Sequence, residues 1–399
     1  MVQDEFPLVL MIMLCMRCIL GGAEKRYARV FKMLVAQPDA QHKLLISRSM
    51  LDLLQAAGVL SQEDEPYLIV LDPPFRRYAQ ALGAQRVTGW VWRLLRPILE
   101  LLDAFWYAWQ CWRVFGRYKP EIVHPLLTGV YLSLPALILN PQIRHVMSEY
   151  STLFEPRQYT HGAVGVGLAT MLKQYALQRC HAIDALKLSI RDNLIARGID
   201  GSKIHVAPGS FTDISLCQPA SHRKKWVVFS ARLIDHKNPF LLVQAIPKVI
   251  ALDPDIHFYI LGQGHLQPQL EALFQELNVT DCVTIRFEPQ PTQILNQSSI
   301  FVSLQAEDNY PSQSLLEAMA CGNVIVATNV GETWRLVDDK NGILVPPTAD
   351  AVAKAIISLL KDPLLTQRGL ASRQRVLSEH TPERFLGYIG NLYQTAARM

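Results

Sequence analysis

SIFVSLQAEDNYPSQSLLEAMACGNVIVAT (residues 299–328) holds a strand, a helix and a second strand. SIFVSL (299–304) is a mainly apolar, uncharged run that stops at polar residues. LLEAMACG (315–322) carries apolar residues at helical spacing and closes on glycine, and NVIVAT (323–328) is apolar again. Strands apolar at nearly every position are buried on both faces. That is the mark of a parallel sheet covered by helices, and it makes this stretch a βαβ unit.

The same alternation runs outward in both directions. Upstream are LVLMIML (8–14), KLLIS (43–47), YLIVL (67–71), EIVH (121–124), IRHVM (143–147) and AIDALKL (182–188). After a polar, turn-rich stretch at 208–225 the series restarts with WVVFSA (226–231), HFYILG (257–262) and CVTIRF (282–287). NGILVPP (341–347) adds a turn, a short strand and a double-proline stop. Right-handed crossovers turn each series into a doubly wound sheet. The expected fold is α/β, two Rossmann-like domains with parallel sheets facing a central cleft, spanning residues 1–210 and 211–380. TPERFLGYIGNLYQTAARM (381–399) opens on a Thr cap, Pro and Glu and reads as a last helix.

Composition agrees with large buried sheets. The 399 residues are 50% hydrophobic and 19% charged, with a formal net charge of +4. That charge is small for the length, and no Lys/Arg stripe interleaves with aromatics, so a nucleic-acid partner is not expected. Seven cysteines are scattered with an odd count, which argues against a disulfide framework and for a reducing, cytoplasmic compartment. Cys15 and Cys18 form a lone CxxC within an apolar strand pattern and read as structural. LVLMIMLCM (8–16) is too short to span a bilayer and lacks the flanks of a signal peptide.

Open α/β sheets bind ligands at the carboxyl ends of their strands. WVVFSA is followed by Arg232 and, before the next helix, Lys237. A guanidinium fork, an ammonium and a helix N-terminus suit a phosphate or pyrophosphate; a solvated loop is the plain alternative. HFYIL is followed by Gly262-Gln263-Gly264, either a tight turn or a place where backbone approaches a ligand. Phe287 and Glu288 follow CVTIR and are placed to line a base pocket. In the opening stretch Tyr310, Pro311, Ser312 and Gln313 stand at a helix start. Glu317, about two turns along, has the acceptor oxygens to hold a vicinal diol. In the first half Gly21-Gly22 separates strand one from a helix and leaves amides open to a ligand. Glu24 reads as a first-turn acid of that helix.

Taken in order, GGAEKR, KPEIVH, FSARLIDHKNP, ILGQG, SLLEAMACGNVIVATNVGE and NGILVPP resemble the retaining GT-B glycosyltransferases of family 4. The resemblance implies a nucleotide-sugar donor in the second domain and a hydroxyl acceptor in the first, with the last helix crossing back toward the first. It implies retention and no metal or other cofactor. Arg232 and Lys237 match the family's pyrophosphate pair, Gly22 its glycine loop and Glu317 the second acid of its E-x7-E motif. The first acid of that motif is Asn309 here, so Asn309, with Glu307 in reserve, takes the sugar-facing role. The family's histidine after strand IRHVM is absent. Glu149 stands nearby, either to position or deprotonate an acceptor or as an ordinary helix-start acid; His124 and His145 are the neighbouring histidines. Polysaccharide or glycolipid assembly follows by resemblance. The rivals are a non-catalytic nucleotide-sugar-binding homologue acting as partner or regulator, and an epimerase.

WVWRLLRPILELLDAFWYAWQCWRVF (90–115) combines tryptophans, arginines and leucines. It either packs on the first sheet or lies at a bilayer surface, which would suit a lipid-linked acceptor and a place at the inner face of the plasma membrane.

Overall fold

The computed structural model describes residues 7–15, 18, 20–38, 40–74, 89–126, 128–150 and 162–398, without the side chains of 89–97, 162–166 and 168. The chain divides into two compact units, Met1–Ala207 with Leu386–Met399, and Pro208–Phe385.

In the first unit the described strands are β1 Val9–Met13, β2 Lys43–Ser47, β3 Leu68–Leu71, β4 Ile122–Pro125, β5 Arg144–Glu149, β6 Ala182–Ala185 and β7 Ile204–Val206. They form one sheet in the order β3-β2-β1-β4-β5-β6-β7, every pairing parallel. The order reverses between β1 and β4, which places the switch point beside the glycines that follow β1. β1 is buried at every residue, which explains its unbroken VLMIM.

The second unit has β8 Lys224–Ser230, β9 His257–Leu261, β10 Val283–Arg286, β11 Ser298–Ser303, β12 Val324–Thr328 and β13 Gly342–Val345. Their order, β10-β9-β8-β11-β12-β13, is the doubly wound Rossmann order, again all parallel. The helix after β11, Gln313–Ala320, buries Leu315, Leu316, Ala318 and Met319. It stops in a Schellman turn. Gly322, at φ +72°, donates to Met319 O at 2.8 Å and Asn323 N donates to Ala318 O at 3.0 Å. The Asn323 amide then donates to Leu295 O and Ala318 O at 2.9 and 3.0 Å, pinning the helix end beside β11.

Several expectations change. β7 escapes sequence reading because a three-residue edge strand has no room for an apolar pattern. The run at 182–188 is strand only to Ala185; Lys187 is already the N-cap of the helix Leu188–Ala196. The stretch after Ala207 is held rather than free: Thr212 N donates to His380 O at 3.0 Å and Phe211 lies 4.9 Å from Phe385. Cys15 and Cys18 are joined as a disulfide, one local bridge where none is expected from the spacing.

Candidate functional site

In the second unit the loops after β8, β9 and β11 are tied to one another. Ala231 N donates to Leu261 O at 3.1 Å, Leu233 N to Gln263 O at 3.0 Å and Leu266 N to Leu233 O at 3.2 Å. Ala306 N, beyond β11, donates to His236 O at 3.0 Å. The turn Asp235–Lys237 therefore bridges the two strands flanking the switch point. It ends on Asn238 at φ +51°, before the helix Phe240–Ile250.

Arg232 is exposed and Lys237 is buried at the end of that turn. Burial, and then the nearby Arg232, push the Lys237 ammonium down to about 8. The His236 imidazole is held below its ordinary value by burial and by the Lys237 and Arg232 charges, while Glu307 and Asp235 act in the opposite sense. So Arg232, His236, Lys237 and Glu307 share one electrostatic neighbourhood. Two cations so close repel each other, and an anion between them removes that repulsion.

Gly262 and Gly264 have a packing reason. A Cβ on Gly262 would lie 1.9 Å from Ala231 O, and one on Gly264 2.2 Å from Leu233 O. The close approach these glycines permit is made by the chain's own backbone. They set the path of the segment that carries Arg232.

Past β11, Asp308 accepts from Tyr310 N at 3.1 Å and packs on Gly331, at φ +52°, where any Cβ would meet the carboxylate. Tyr310 turns inward. It is 5% exposed, donates to Pro208 O at 3.4 Å and lies under the Arg335 guanidinium at 4.6 Å. Its ring, its hydroxyl and its backbone N–H are all engaged by the protein's own groups. Pro311 precedes the buried N-cap Ser312, and Gln313 donates to Glu317 Oε1 at 3.3 Å. Asn309 and Glu317 are half-buried and Glu307 is exposed. Phe287 is exposed at the end of the edge strand β10, and Glu288 pairs with Arg286 at 3.0 Å. Gln305 belongs to no motif read from the sequence. It is buried immediately beyond β11, and its backbone carbonyl accepts from Thr328 Oγ1 at 2.7 Å. A polar residue directly after an apolar run is the one signal that could have found it.

In the first unit Gly21 caps the helix Gly22–Val35, and its amide donates to Glu24 Oε2 at 2.9 Å. Among the described residues a Cβ on Gly22 would meet nothing within 4 Å. Glu149 is less available than expected. It is buried at the end of β5 with its carboxylate 2.7 Å from Lys173 Nζ, so its charge is already matched. His124 is buried too, and burial lowers it to about 4, so it is neutral near pH 7. Ser148 donates its proton to Asp184 at 2.9 Å and therefore accepts from His124 Nε2 at 2.8 Å. His124 Nδ1 is left to accept from the Tyr393 hydroxyl at 2.9 Å. Tyr388 donates to the other Asp184 oxygen at 2.8 Å. This chain anchors the end of the helix Pro382–Arg398 to the first sheet. His145 lies within β5, buried, and its backbone N–H donates to His181 Nδ1 at 3.0 Å.

Residues 217–376 match the family of glycosyl transferases group 1. The match spans β8 to β13 and every candidate residue of the second unit. Over 230 residues the chain is 26% identical to a component of the phosphatidylinositol N-acetylglucosaminyltransferase of Arabidopsis thaliana, covering 54% of this chain and 51% of that one. It is 24% identical to the alpha-D-kanosaminyltransferase of Streptomyces kanamyceticus, covering 61% of this chain and 66% of that one. The chain thus spans about half to two-thirds of the length of these curated relatives. Among solved structures, a glycosyltransferase from Rickettsia africae superposes with a TM-score of 0.71 at 15% identity, covering 98% of both chains. Anabaena Alr3699/HepE, solved with UDP, gives 0.71 at 15% identity over 96% of this chain and 98% of that one. These neighbours establish the GT-B fold along the chain.

Proposed function

We propose that the chain transfers a sugar from a nucleotide-sugar donor to a hydroxyl acceptor, with retention and without a catalytic metal. The observation that carries this reading is the Arg232–Lys237 pair. It sits at the carboxyl end of β8, on a turn tied to the loop beyond β11, within the segment that matches the glycosyl transferases. Sugar transfer leaves a nucleoside diphosphate, so negative charge grows on the leaving oxygen. Preorganised cations supply there the stabilisation otherwise given by a divalent ion. Glu317 holds the ribose diol and Asn309 faces the donor sugar. The Gly21 amide is taken by Glu24, so it is the Gly22 side of the helix start that faces phosphate and acceptor. Glu149, paired with Lys173, positions that region rather than taking a proton directly. Relatives named for lipid substrates, such as a phosphatidyl-myo-inositol mannosyltransferase of Mycolicibacterium smegmatis, favour a glycolipid or lipid-linked acceptor.

The test is a thermal-shift panel of UDP-, GDP-, ADP- and dTDP-sugars, followed by transfer assays with and without EDTA. One activated sugar stabilises the fold, by about 2.7 kcal/mol at 100 times its Kd, and transfer survives the chelator. Failure of every donor to bind overturns the reading. Binding without transfer or donor hydrolysis would leave a sugar-nucleotide-binding homologue.

Asn309 and Glu307 are separable. Asn309→Ala is expected to lower kcat by about three- to tenfold, the order of one lost hydrogen bond between neutral groups, ~0.5–1.5 kcal/mol. Exposed Glu307→Ala should change kcat less than about threefold and mainly move the pH response of His236. Equal and negligible effects of both would remove the first-acid role from this loop.

A further inference from the structure

We propose that the outward face of the helix Gly89–Tyr118 docks on the surface of a bilayer containing anionic lipid. Among its described side chains this helix has two apolar faces. One, with Tyr107, Cys111, Val114 and Phe115, is buried in the core of the first unit. The other presents Ile98, Leu101, Leu102, Phe105, Trp109 and Trp112, each between 40% and 66% exposed. At 100° per residue these six fall on one stripe, about 21 Å long at 1.5 Å per residue. An exposed apolar stripe of this kind is rare on a soluble protein without a partner.

Chemistry selects the occupant. Two tryptophans stand at one end of the stripe. Arg113 and Arg117 are exposed along its edge, and the Arg113 guanidinium lies 4.9 Å over the Trp109 ring. Indole rings and snorkelling arginines belong at the boundary between headgroups and acyl chains. The acids of this segment, Glu100 and Asp103, lie off the exposed stripe, and Asp103 is buried. Among the described residues of this helix the face is thus apolar and basic with no carboxylate, complementary to an anionic lipid surface. Against a second copy, the same basic edge would meet itself. Among the described residues no helix is long and apolar enough to cross a membrane, so this helix would lie in the plane. The neighbouring helix Thr128–Ile138, packed on it, ends on exposed Ile138 and Leu139. Trp90, Trp92, Arg93 and Arg96, part of the sequence expectation, have side chains outside the described set, and Arg76, Arg77 and Arg86 lie outside the described residues.

This proposal does not depend on the sugar-transfer reading, and its test uses no sugar. The full chain is mixed with vesicles of phosphatidylcholine alone or of phosphatidylcholine with phosphatidylglycerol, and followed by sedimentation and by tryptophan quenching with acyl-brominated lipid. The expected result is sedimentation with the anionic vesicles, weakened by salt, with quenched fluorescence. Phe105→Ser with Trp109→Ser should weaken binding by about a hundredfold, from the apolar area kept in water. Arg113→Gln with Arg117→Gln should weaken it by about twentyfold, near fivefold per charge. Both pairs of sites are exposed, so unfolding transitions should match the wild type. Should the wild type ignore anionic vesicles, or the apolar double variant sediment as the wild type does, the proposal falls. A wild type that ignores vesicles but dissociates from dimer to monomer on Phe105→Ser with Trp109→Ser would reassign the face to self-association.

Discussion

Lys237→Ala is expected to lower kcat/KM for sugar transfer by about 10²–10³-fold, the size seen when one preorganised donor to a developing anion is removed. The side chain is buried at the turn that bridges β8 and β11; in the proposed role, the alanine variant leaves only Arg232 of the pair to meet the diphosphate. Position and charge both matter here, which gives a second signature. Free Lys237 titrates near 8, so kcat/KM should fall as pH rises through that value, because the uncharged amine no longer attracts phosphate. Stability moves the other way. The folded state holds Lys237 below its ordinary 10.5, so between about 8 and that value the unfolded chain binds more protons than the folded one. Unfolding free energy from this group therefore rises with pH across that window. Lys237→Met should flatten both trends. A kcat/KM unchanged in Lys237→Ala, with the second unit still melting cooperatively, would place the diphosphate elsewhere.

The parallel sheets are legible because burial on both faces writes itself as short runs rich in apolar residues with no charge: β1, β11 and β12 are buried throughout, and each run ends within two residues of its strand, although β11 carries three serines. Glycine at a helix end is equally readable, since Gly322 needs the positive φ that a Schellman turn imposes. What stays hidden depends on partners remote in sequence. Glu149 at a strand end looks like a site acid until the helix Gly162–Arg179 brings Lys173 against it. Asp184 gives no signal at all, because its partners Ser148 and Tyr388 are 36 and 204 residues away. Tyr310 reads as ligand-facing from its motif, yet its ring is spent on Arg335 and Pro208. The candidate cations are readable because both follow a single strand, so local order alone brings them together.

Gly262→Ala is expected to destabilise the second unit by about 3 kcal/mol, the upper end of overpacking costs. It should also weaken donor binding together with the fold. The new Cβ would stand 1.9 Å from Ala231 O and 3.0 Å from Ala231 C, closer than real methyl groups approach backbone. Neither strand can simply step aside. Ala231 N is bonded to Leu261 O, Leu233 N to Gln263 O, and Gly262 N to Arg286 O. Relief has to come from the segment after Ala231, which is where Arg232 begins. A shift of about 1 Å in a positioning group costs on the order of 10²-fold in rate. The glycine pair of the first unit gives the opposite expectation from the same kind of motif. Gly22→Ala meets nothing within 4 Å among the described residues, and alanine is the better helix former, so the fold should be unchanged or gain up to about 1 kcal/mol. Its methyl would instead enter the helix mouth and raise KM. Chemical unfolding of both variants beside donor and acceptor kinetics separates the two. If Gly262→Ala melts as the wild type while losing donor affinity, that glycine faces the ligand rather than Ala231. If Gly22→Ala loses stability, the mouth after β1 is filled by the protein itself and is no acceptor loop.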